Sequence, residues 1–574
     1  MARSRIWQYF VLSVYAAISI PGILCLWPMP RSLKAGTTSL VLSTSFSIDL
    51  QVQDAPEDLQ QAITRTQSYL RNDNLGRLVV GRGTSDLGLL QGAKELQSLR
   101  VTLSNEAGKA RSISSEATAP LGSRSEEYSL VIPSAGSTAT LIANSTLGLF
   151  RGLTTFEQLW YTAGEATYTL EAPIRIIDSP AFPYRGLMLD TARNFFPVSD
   201  IKRTLDAMSW AKINQFHWHV TDSQSFPLEI LGFTEVAAKG AYSNSIYSPE
   251  DVKDIVSYAG ARGIDVVVEI DTPGHTASIH ESHPEHIACY DSSPWMTFTN
   301  EPMAGQLRFA SAATTNFTAG LIEATARMFP SSLFSTGGDE VNLPCYQLDV
   351  ETQRILNATG QTLQQKLEMF VQTLHGGLKG LGKTPIVWED LILTHNVTVS
   401  NDTIVMVWSS SSAAEGIAAK NLQIVHAPSD YFYLDCGAGE WIGADPDGNS
   451  WCDPFKTWQR AYIFDPYENL TESHQHLVLG GEQVLWSEQS GPQNLDSIIW
   501  PRAAASAEVF WTGPTLPDGT PRNVQSALPR LYDLRFRMVQ RGVDAIPLQP
   551  LWCALRPGAC DLMDAVKVPS PHDR

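Results

Sequence analysis

The feature that most constrains the fold of this 574-residue chain is an alternation of short apolar runs with helical patterns, which begins near Arg185. Short apolar runs closed by turn-forming residues are typical of buried strands. Two intervening segments, Ser199–Lys212 and Ser248–Arg262, have helical spacing, and the second begins at a capping serine followed by Pro249 and ends before Gly263. Strands that alternate with helices predict a parallel α/β core. The candidate strands are Arg185–Leu189, Ile213–Val220, Ile264–Ile270, Leu333–Thr336, Pro385–Trp388, Ile404–Trp408, Gln423–His426 and Leu477–Gly480.

Eight strands over this length predict a (β/α)8 TIM barrel, in which the catalytic site lies at the carboxyl ends of the strands. A doubly wound open sheet is the alternative. The motif from Pro180 to Pro183 marks the start of this domain, which we expect to span residues 181–574. A helix near Val524–Arg541 and a loop between Cys553 and Cys560 close it.

The region before the barrel, residues 27–180, is predicted to be a small α+β domain. Its helical patterns are Pro56–Asn72 and Leu147–Trp160, and its strand-like runs are Arg100–Ser104, Tyr128–Ile132 and Pro173–Ile177. The sequence of this region has no evident nucleophile, metal-ligand cluster or phosphate-binding loop. A packing or processing role is therefore favoured over a binding module.

Acids, an arginine, histidines and aromatic residues follow the ends of the candidate strands. Because these ends meet at one rim of a barrel, we expect the side chains to converge there. Packing alone does not readily produce such a pattern. The residues are Asp190, Arg193, His217, His219, Asp222, Asp271, His275, Asp339, Glu340, Trp388, Glu389, Trp408, Tyr431, Tyr433, Asp435, Glu482, Trp486 and Glu488.

Two adjacent carboxylates, Asp339 and Glu340, follow the fourth candidate strand in the motif LFSTGGDE, residues 333–340. Neighbouring acids in a partly desolvated pocket push their pKa values apart, so that one stays protonated near neutrality while the other is ionised. General-acid catalysis of glycoside cleavage needs this property. An Asp-Glu pair by itself is more often a surface feature, and the surrounding motifs favour catalysis.

Four motifs in this order resemble those of family 20 glycoside hydrolases, the β-N-acetylhexosaminidases, and most closely the secreted fungal members. The resemblance covers nearly the whole chain after the N-terminal segment. It implies the barrel and the removal of terminal β-linked GlcNAc or GalNAc with retention of configuration, and it implies no metal and no cofactor. The motifs are HWHVTDSQSFP (217–227), DTPGHT (271–276), GGDE (337–340) and GGEQVLWSE (480–488).

The resemblance also implies catalytic roles. Glu340 matches the general acid/base, and Asp339 matches the residue that accepts the acetamido N–H of the substrate. The acetamido oxygen itself attacks the anomeric carbon and gives an oxazolinium intermediate, an exception to the scheme with two catalytic carboxylates. Asp222 and His275 resemble a carboxylate–histidine relay that reaches Glu340 and tunes its proton affinity; a purely structural His275 is the alternative.

Seven further residues match substrate-binding positions. Tyr433 matches the hydroxyl that binds the acetamido oxygen, and Trp388, Trp408 and Trp486 match an aromatic box around the acetamido group and the sugar ring. The remaining matches are Arg193 and Glu488 for the 3- and 4-hydroxyls and Asp435 for the 4- or 6-position.

Other polar residues near the strand ends favour structural roles. His217 and His219 share one face of a strand, so metal ligation is conceivable, but structural hydrogen bonding is preferred because no third ligand cluster is evident. Glu389 and Glu482 are interpreted as hydrogen-bond partners that support the site residues and not as catalytic groups. Ser223 departs from the family pattern without affecting Asp222. The segment between Cys436 and Cys452 is short for a fungal member, which leaves acceptor preference open.

Two other functions compete with this hypothesis. A double-displacement glycosidase would use Asp339 or Glu340 as nucleophile, but adjacent residues of a strand point to opposite sides and flank one anomeric carbon poorly. An inactive carbohydrate-binding protein on the same scaffold is the second, and the complete set of catalytic residues argues against it.

The N-terminus predicts secretion. Arg3 and Arg5 precede an apolar stretch up to Leu26, which is typical of a signal peptide over residues 1–26 with an undetermined cleavage position; a retained membrane anchor is the alternative. Six Asn-x-Ser/Thr sequons support an extracellular or cell-wall destination. They are Asn144, Asn316, Asn357, Asn396, Asn401 and Asn469.

Cysteine content and charge agree with an extracellular protein. Cys25 lies in the predicted signal peptide, and the other six cysteines suggest three disulfides. Sequence order suggests, without fixing, the pairs Cys289–Cys345, Cys436–Cys452 and Cys553–Cys560. The net charge of −19 argues against nucleic acid or an anionic membrane as a partner. An amino-sugar oligosaccharide is the expected partner, and a homodimer is common in the family.

Overall fold

The computed structural model describes residues 24–243, 245–437, 439, 441–443 and 445–561. The chain forms a six-stranded mixed sheet followed by a parallel barrel. In the first sheet the strand order is β1-β2-β4-β3-β6-β5, and the first half of β1 also pairs with β6. The strands are β1 (Ser32–Gln51), β2 (Lys94–Leu103), β3 (Tyr128–Ile132), β4 (Ser137–Ala143), β5 (Tyr161–Ala163) and β6 (Ala166–Asp178).

The barrel consists of eight parallel strands in the order β15-β14-β13-β12-β9-β8-β7-β17, and β15 pairs with β17 to close it. The short strand β16 extends the sheet beside β17, and β10 and β11 form a separate hairpin. The strands are β7 (Tyr184–Asp190), β8 (Gln215–Thr221), β9 (Asp265–Ile270), β10 (Ile287–Ala288), β11 (Gln306–Leu307), β12 (Leu333–Ser335), β13 (Thr384–Trp388), β14 (Ile404–Val407), β15 (Gln423–His426), β16 (Tyr433–Asp435) and β17 (Val478–Leu485).

Helices cover one face of the small sheet and surround the barrel. The small domain contains α1 (Glu57–Asn72), α2 (Ile113–Ala117) and α3 (Thr146–Glu157). The helices that follow are α4 (Val198–Trp210), α5 (Thr234–Gly240), α6 (Pro249–Gly260), α7 (Ala312–Met328), α8 (Leu343–Leu348), α9 (Val350–Thr359), α10 (Leu363–Gly380), α11 (Asp390–Leu393), α12 (Ala414–Ala418), α13 (Trp458–Tyr462), α14 (Leu495–Ile499), α15 (Arg502–Thr512), α16 (Val524–Gln540) and α17 (Leu551–Ala554).

The predicted TIM barrel is confirmed, and each of the eight predicted strands overlaps a barrel strand. The helix α6 begins as its sequence predicts: the Ser248 side chain accepts from the backbone N–H of Asp251, and the Asp251 carboxylate accepts in return. Gly263 adopts φ +69°, as expected for a residue just beyond a helix end. The strands β1, β4 and β5 of the small domain were not predicted.

The barrel interior combines apolar side chains with an unusually polar part. Side chains such as Met188, Val267 and Ile386 fill the interior, whereas a second apolar layer packs between strands and helices. Among the buried interior residues are also several acids and two histidines of β8, His217 and His219. This polar part lies directly below the carboxyl ends of the strands.

Three disulfides join cysteines that are consecutive in the sequence, in the order suggested above: Cys289–Cys345, Cys436–Cys452 and Cys553–Cys560. Within the described part of the chain, no helix has the length and the apolar character that crossing a membrane requires. Most of the predicted signal peptide, residues 1–23, lies outside the described residues. Leu24 and Leu26 are buried, and the Leu26 carbonyl accepts a hydrogen bond from Arg530.

Candidate active site

A cavity of about 130 Å³ opens at the carboxyl ends of the barrel strands. Eight of the predicted site residues line it: Arg193, His275, Asp339, Glu340, Trp408, Tyr433, Trp486 and Glu488. The cavity combines four carboxyl groups, including that of Glu301, with a guanidinium, an imidazole and aromatic rings. It is therefore suited to a ligand with both apolar faces and hydroxyl groups.

The turn that carries the two adjacent acids depends on its glycines. The strand β12 ends at Ser335, and Gly337 and Gly338 have φ of +64° and +106°. A Cβ atom on Gly337 would lie 1.9 Å from Asp271 Oδ1, and one on Gly338 would lie 2.3 Å from a Leu391 methyl group. Only glycine tolerates both the backbone conformation and these close approaches.

Both acids of this turn face the cavity, which corrects the expectation that strand alternation sends them to opposite sides. Asp339 and Glu340 lie beyond the end of β12, and Glu340 has a left-handed backbone with φ +52°. His275 Nε2 lies 3.5 Å from Glu340 Oε2 and 3.9 Å from Asp339 Oδ1. His275 also has φ +52°, so two strained residues meet at this point.

Asp339 is held against a second carboxyl group, that of Asp271. Ligand atoms of Asp271, His275 and Asp339 all lie within 4.8 Å of one another. Burial, and then the neighbouring Asp271 carboxyl, raise the pKa of Asp339 well above its usual range. Burial also raises the pKa of Asp271 to about 7. Asp339 Oδ1 is buried and accepts no hydrogen bond from the described residues, so it is available to a ligand.

Glu340 is connected through His275 to Asp222. His275 Nδ1 lies 3.1 Å from Asp222 Oδ1, and Asp222 itself is fully buried behind the cavity. Burial lowers the pKa of His275, but the carboxylates of Asp222 and Asp339 outweigh it and raise that pKa well above 6.5. Burial raises the pKa of Glu340, but the hydrogen bond from His275 outweighs it and lowers that pKa. His275 therefore carries the proton and Glu340 is ionised.

Arg193 lines the same cavity and lies among four acids. Its guanidinium lies 3.2 Å from Asp190 and 3.1 Å from Asp222, and it donates to Glu301. It also stacks over the Trp486 ring at 5.0 Å. Burial raises the pKa of Glu488 to about 8, and the Arg193 charge only partly opposes this. Glu488 Oε2 is buried and has no hydrogen-bond partner among the described residues.

Aromatic side chains form the rest of the wall. The ring of Trp486 lies 6.2 Å from that of Trp388 and 6.4 Å from that of Tyr433. Trp408 is fixed because its indole N–H donates to Asp390 and its backbone N–H donates to Glu389. Rings held at large angles to one another form a box that can enclose a small apolar group.

Three predicted site residues do not line the cavity. Asp222 lies behind it, Trp388 is buried beside Trp486, and the Asp435 carboxylate accepts from the Ser490 hydroxyl. The two acids interpreted as bracing residues do contact protein groups: Glu389 accepts from Trp408 and Ser409, and Glu482 accepts from Tyr184.

The sequence interpretation missed five lining residues, namely Asn300, Glu301, Trp441, Ile442 and Trp451. Trp441 and Trp451 lie between Cys436 and Cys452, so the cysteine pair could have drawn attention to them. The Trp451 ring lies 5.6 Å from Trp408 and 5.8 Å from Tyr433, and the residue is 62% exposed. Asn300 and Glu301 come from a loop with no strand-end signal.

Potential metal ligands near the cavity already serve as partners for one another. Three sets have ligand atoms within 4.8 Å of each other: His219–Glu269–Asp271, Asp222–His275–Glu301 and Asp271–His275–Asp339. Both ring nitrogens of His219 face carboxylates, at 2.6 and 2.8 Å. The Arg193 cation lies between Asp222 and Glu301 and would repel a metal ion there.

A larger groove of about 700 Å³ lies on the outside of the barrel between α6 and α7. Its lining is mainly alkyl, including Val252, Val256 and Met328. It is remote from the paired acids and has no convergent catalytic groups. The smaller cavity is therefore the candidate active site.

Comparison with known sequences agrees with this geometry. The profile described as glycosyl hydrolase family 20, catalytic domain, matches residues 182–514, and one described as β-acetyl hexosaminidase like matches residues 26–159. A β-hexosaminidase of Arthroderma benhamiae is 37% identical over 457 residues, which cover 76% of this chain and 74% of that protein. A chitooligosaccharidolytic β-N-acetylglucosaminidase of Bombyx mori is 35% identical over 455 residues, with coverage of 76% and 74%.

Solved structures share the fold. The chitobiase of Flavobacterium johnsoniae superposes with a TM-score of 0.71 at 24% identity, over 91% of this chain and 73% of that one. The family profiles and the relatives together cover both the barrel and the small domain. This chain therefore belongs to glycosyl hydrolase family 20.

Proposed function

We propose that the protein is an exo-acting β-N-acetylhexosaminidase that removes terminal β-linked GlcNAc or GalNAc by substrate-assisted catalysis. One observation carries the proposal: a buried Asp339 oxygen that accepts no hydrogen bond from the described residues faces the cavity beside Glu340, inside a box of aromatic rings. An acetamido group offers an N–H for that oxygen and a methyl group for the rings. The names of the relatives above support the same substrate class.

In the first step, the acetamido oxygen attacks the anomeric carbon while the bond from that carbon to the leaving group breaks. The glycosidic oxygen takes a proton from Glu340, and a cyclic oxazolinium ion remains in the cavity. In the second step, water attacks the anomeric carbon, its proton passes to Glu340, and the acetamido group is restored. Two inversions at the same carbon give retention.

The proton for the first step resides on the His275–Glu340 pair. The ring nitrogen and the carboxylate oxygen are 3.5 Å apart, and the imidazolium holds the proton before substrate binds. A sugar that fills the cavity removes water from the Glu340 carboxylate, and desolvation favours its neutral form. Substrate binding thereby moves the proton to the atom that delivers it.

Asp339 and Tyr433 orient the acetamido group. Asp339 accepts the acetamido N–H. As positive charge develops on the nitrogen, Asp339 ionises by passing its proton to the neighbouring Asp271 carboxylate, while the Tyr433 hydroxyl donates to the acetamido oxygen. Trp408 and Trp486 contact the methyl group and exclude water from the intermediate, and Trp388 supports Trp486 from behind. Arg193 and Glu488 bind the 3- and 4-hydroxyls of the sugar ring. Asp435 is assigned to the hydroxyl at the 4- or 6-position.

The exposed Trp451 extends this site toward the solvent. Its ring lies edge-on to both Trp408 and Tyr433, and its exposed surface suits stacking with the sugar that follows the scissile bond. A chitooligosaccharide offers such a sugar, in agreement with the substrate named for the Bombyx mori relative.

A double-displacement mechanism fits the geometry poorly. Such an enzyme places its two carboxyl groups about 5 Å apart on either side of the anomeric carbon. Here both carboxyl groups approach one atom, His275 Nε2, and so lie on one side of the sugar.

The sequence features support secretion as part of this proposal. All six predicted glycosylation asparagines are exposed, and the three disulfides suit an oxidising compartment. Cleavage of the signal peptide before Leu24 would preserve the buried packing of Leu24 and Leu26.

The test is hydrolysis of a chromogenic β-GlcNAc substrate by the wild type, Glu340→Gln and Asp339→Asn, with a thiazoline mimic of the intermediate as inhibitor. We expect both variants to lose about 10²-fold or more in kcat, since each removes a group used in the transition state. Tight thiazoline inhibition is expected as well. Full activity of Asp339→Asn, or equal cleavage of β-glucosides, would contradict the proposal.

A further inference from the structure

A row of buried ionisable side chains runs through the barrel below the cavity and is not explained by the catalytic steps above. Its members belong to four neighbouring strands, β17, β7, β8 and β9, and none is exposed to solvent. We call this row the barrel chain. It consists of Tyr184, Glu482, His217, Glu269 and His219.

The barrel chain is continuous, and Asp222 and His275 connect it to Glu340, the proposed general acid/base. Successive members are joined by close polar contacts, and acids alternate with imidazoles along it. The links are Tyr184 Oη to Glu482 Oε2 (2.7 Å), Glu482 Oε1 to His217 Nδ1 (2.9 Å), His217 Nε2 to Glu269 Oε2 (3.1 Å), Glu269 Oε1 to His219 Nδ1 (2.6 Å), His219 Nε2 to Asp222 Oδ2 (2.8 Å), Asp222 Oδ1 to His275 Nδ1 (3.1 Å) and His275 Nε2 to Glu340 Oε2 (3.5 Å).

The geometry sets the charge on the two imidazoles. Each ring of His217 and His219 places both of its nitrogens against carboxylate oxygens, which accept hydrogen bonds but do not donate them. Only the imidazolium form donates from both nitrogens. Burial lowers the pKa of each ring, but the flanking acids raise the pKa of His217 to about 10 and that of His219 to about 9.

Stability does not account for such a chain. Replacing a buried ion network by well-packed apolar residues is often neutral or stabilising, because the desolvation of the charges offsets their attraction. The interior of a TIM barrel is ordinarily filled by branched apolar side chains. Charges at this level of the barrel therefore indicate a function connected with the site above them.

We propose that the barrel chain positions Asp222 and keeps it ionised, and so fixes the proton that His275 and Glu340 share. Glu269 is the central member, because its two oxygens hold the two imidazolium rings. His219 then presents a cationic N–H to Asp222 Oδ2, which leaves Asp222 Oδ1 for His275. The inference rests on the proposed function, since it concerns the acid/base step of that reaction.

Other charged and polar groups also face Asp222 and Glu269 and influence their ionisation. Arg193 and the backbone N–H of Ser223 contact Asp222, and the Ser335 hydroxyl donates to Glu269. Asp271 lies close enough that the negative charge of Glu269 contributes to the raised pKa of its carboxyl. The rings of His219 and His217 lie 4.9 Å from Trp486 and 5.8 Å from Trp388, so the chain also supports two rings of the aromatic box.

The first test compares two leaving groups in the Glu269→Gln variant. Dinitrophenolate departs without a proton, whereas the GlcNAc unit of N,N′-diacetylchitobiose needs one from Glu340. We expect kcat/KM to fall at least about tenfold more on chitobiose than on dinitrophenyl β-GlcNAc. The matched control is Asp265→Asn, which removes another buried carboxylate of β9. Asp265 pairs with Arg124, so its loss should lower kcat/KM equally on both substrates. Equal losses in Glu269→Gln would overturn the proposal.

The second test asks whether Glu269 acts through Asp222. In a background of Asp222→Asn, which already interrupts the chain, Glu269→Gln should lower kcat/KM on chitobiose by less than about threefold. Losses that multiply would overturn the proposal. His219→Gln provides the same two comparisons if Glu269→Gln does not fold.

A third measurement needs no variant. The twelve histidines of the wild type, labelled with ¹⁵N, report ring protonation by NMR at pH 7.5, where ordinary histidines with a pKa of about 6.5 are neutral. We expect at least three doubly protonated rings, those of His217, His219 and His275; fewer would overturn the charge assignment. A wild type that cleaves no β-GlcNAc substrate would refute the proposed function instead, and this NMR result would stand independently.

Discussion

Adjacent acids in this cavity differ in protonation because their neighbours differ. Asp339 faces another carboxyl, Asp271, whereas Glu340 faces the imidazolium of His275. The sequence predicted that the two pKa values separate. It could not predict that Glu340, the acid in the proposed mechanism, is the ionised member of the pair, because His275 is 65 residues away in the chain and its orientation comes from Asp222.

The charge of Asp222 should set the alkaline limit of activity. Its carboxylate raises the pKa of His275, so Asp222→Asn removes a negative partner and lets His275 lose its proton at a lower pH. We expect the alkaline limb of the kcat/KM profile to shift to lower pH, with kcat reduced by about 10²-fold or more. The measurement is the pH profile on chitobiose.

The control for this prediction is Asp254→Asn on the outer helix α6, where the carboxylate only pairs with Lys202 at the surface. Its pH profile should match that of the wild type. An alkaline limb that does not move in Asp222→Asn would show that His275 does not hold the catalytic proton.

Gly337 should be indispensable for a steric reason and not only for its backbone angle. In Gly337→Ala the new Cβ would lie 1.9 Å from Asp271 Oδ1, so the turn that carries Asp339 and Glu340 must shift. We expect kcat to fall by about 10²-fold, since displacement of catalytic groups by about 1 Å has effects of this size. Kinetic assays measure the loss of kcat, and thermal unfolding measures the accompanying loss of stability.

Gly360→Ala is the matched control, because Gly360 has φ +67° and no heavy atom within 4 Å of the added Cβ. It should lower stability by about 1 kcal/mol through the backbone alone and leave kcat unchanged. Equal kinetic effects of the two substitutions would refute the steric explanation.

At the scale of elements, the barrel strands were predictable and the long strand β1 was not. Barrel strands are buried on both faces and form mainly apolar runs, as in Ile404–Val407. In β1 only Leu40, Ser43 and Ile48 are buried, and its pairing register shifts at several points. These irregularities remove the two-residue alternation by which a half-exposed strand is recognised.

Loops that complete the cavity were the least predictable elements. Glu301 reaches Arg193 across 108 residues, and no periodicity relates the two positions. The motif residues could be assigned because they lie at strand ends, which the barrel brings together. A wall built by a loop depends instead on the tertiary path of that loop.

The Cys289–Cys345 disulfide should hold this loop wall in place. It joins the segment after β10 to helix α8, which follows Glu340, and so brackets the stretch that carries Asn300 and Glu301. Replacing both cysteines by alanine should lower stability by about 4 kcal/mol in the chain-entropy model and raise KM. Thermal unfolding and chitobiose kinetics test this.

The disulfide Cys553–Cys560, which closes a short loop after α16, provides the comparison. Its removal should cost about 2.5 kcal/mol and leave KM unchanged. An unchanged KM after loss of Cys289–Cys345 would show that the wall does not depend on that bond.

At the scale of the whole molecule, the small domain and the barrel are joined by buried ion pairs. Glu126, just before β3, contacts Arg151 of α3 and Arg185 of β7. Lys212 lies 3.2 Å from Asp178 and 4.2 Å from the Trp511 ring, and burial lowers the pKa of Lys212 to about 8. Separating the small domain from the barrel would leave these charges without their partners. The buried ion pairs therefore oppose separation of the two domains.

Glu126→Gln should therefore destabilise the whole molecule and not the small domain alone. It leaves Arg151 and Arg185 buried without their carboxylate, a change that typically costs about 3–5 kcal/mol. We expect a single unfolding transition at a lower temperature than that of the wild type. Calorimetry and the loss of activity on heating measure it. The exposed pair Glu351–Arg354 supplies the control, since Glu351→Gln should have no measurable effect.

The same residue predicts a pH dependence with a definite sign. Burial raises the pKa of Glu126, but Arg185 and Arg151 outweigh it and lower that pKa from 4.5 to about 2. Because the folded state holds the proton less tightly than the unfolded chain does, the stabilisation is complete above pH 4.5 and is lost as the pH falls toward 2. Stability of Glu126→Gln should fall less steeply than that of the wild type over this interval. If instead two separate transitions appear, or if the acid slopes are identical, the charges at the junction do not hold the two parts together.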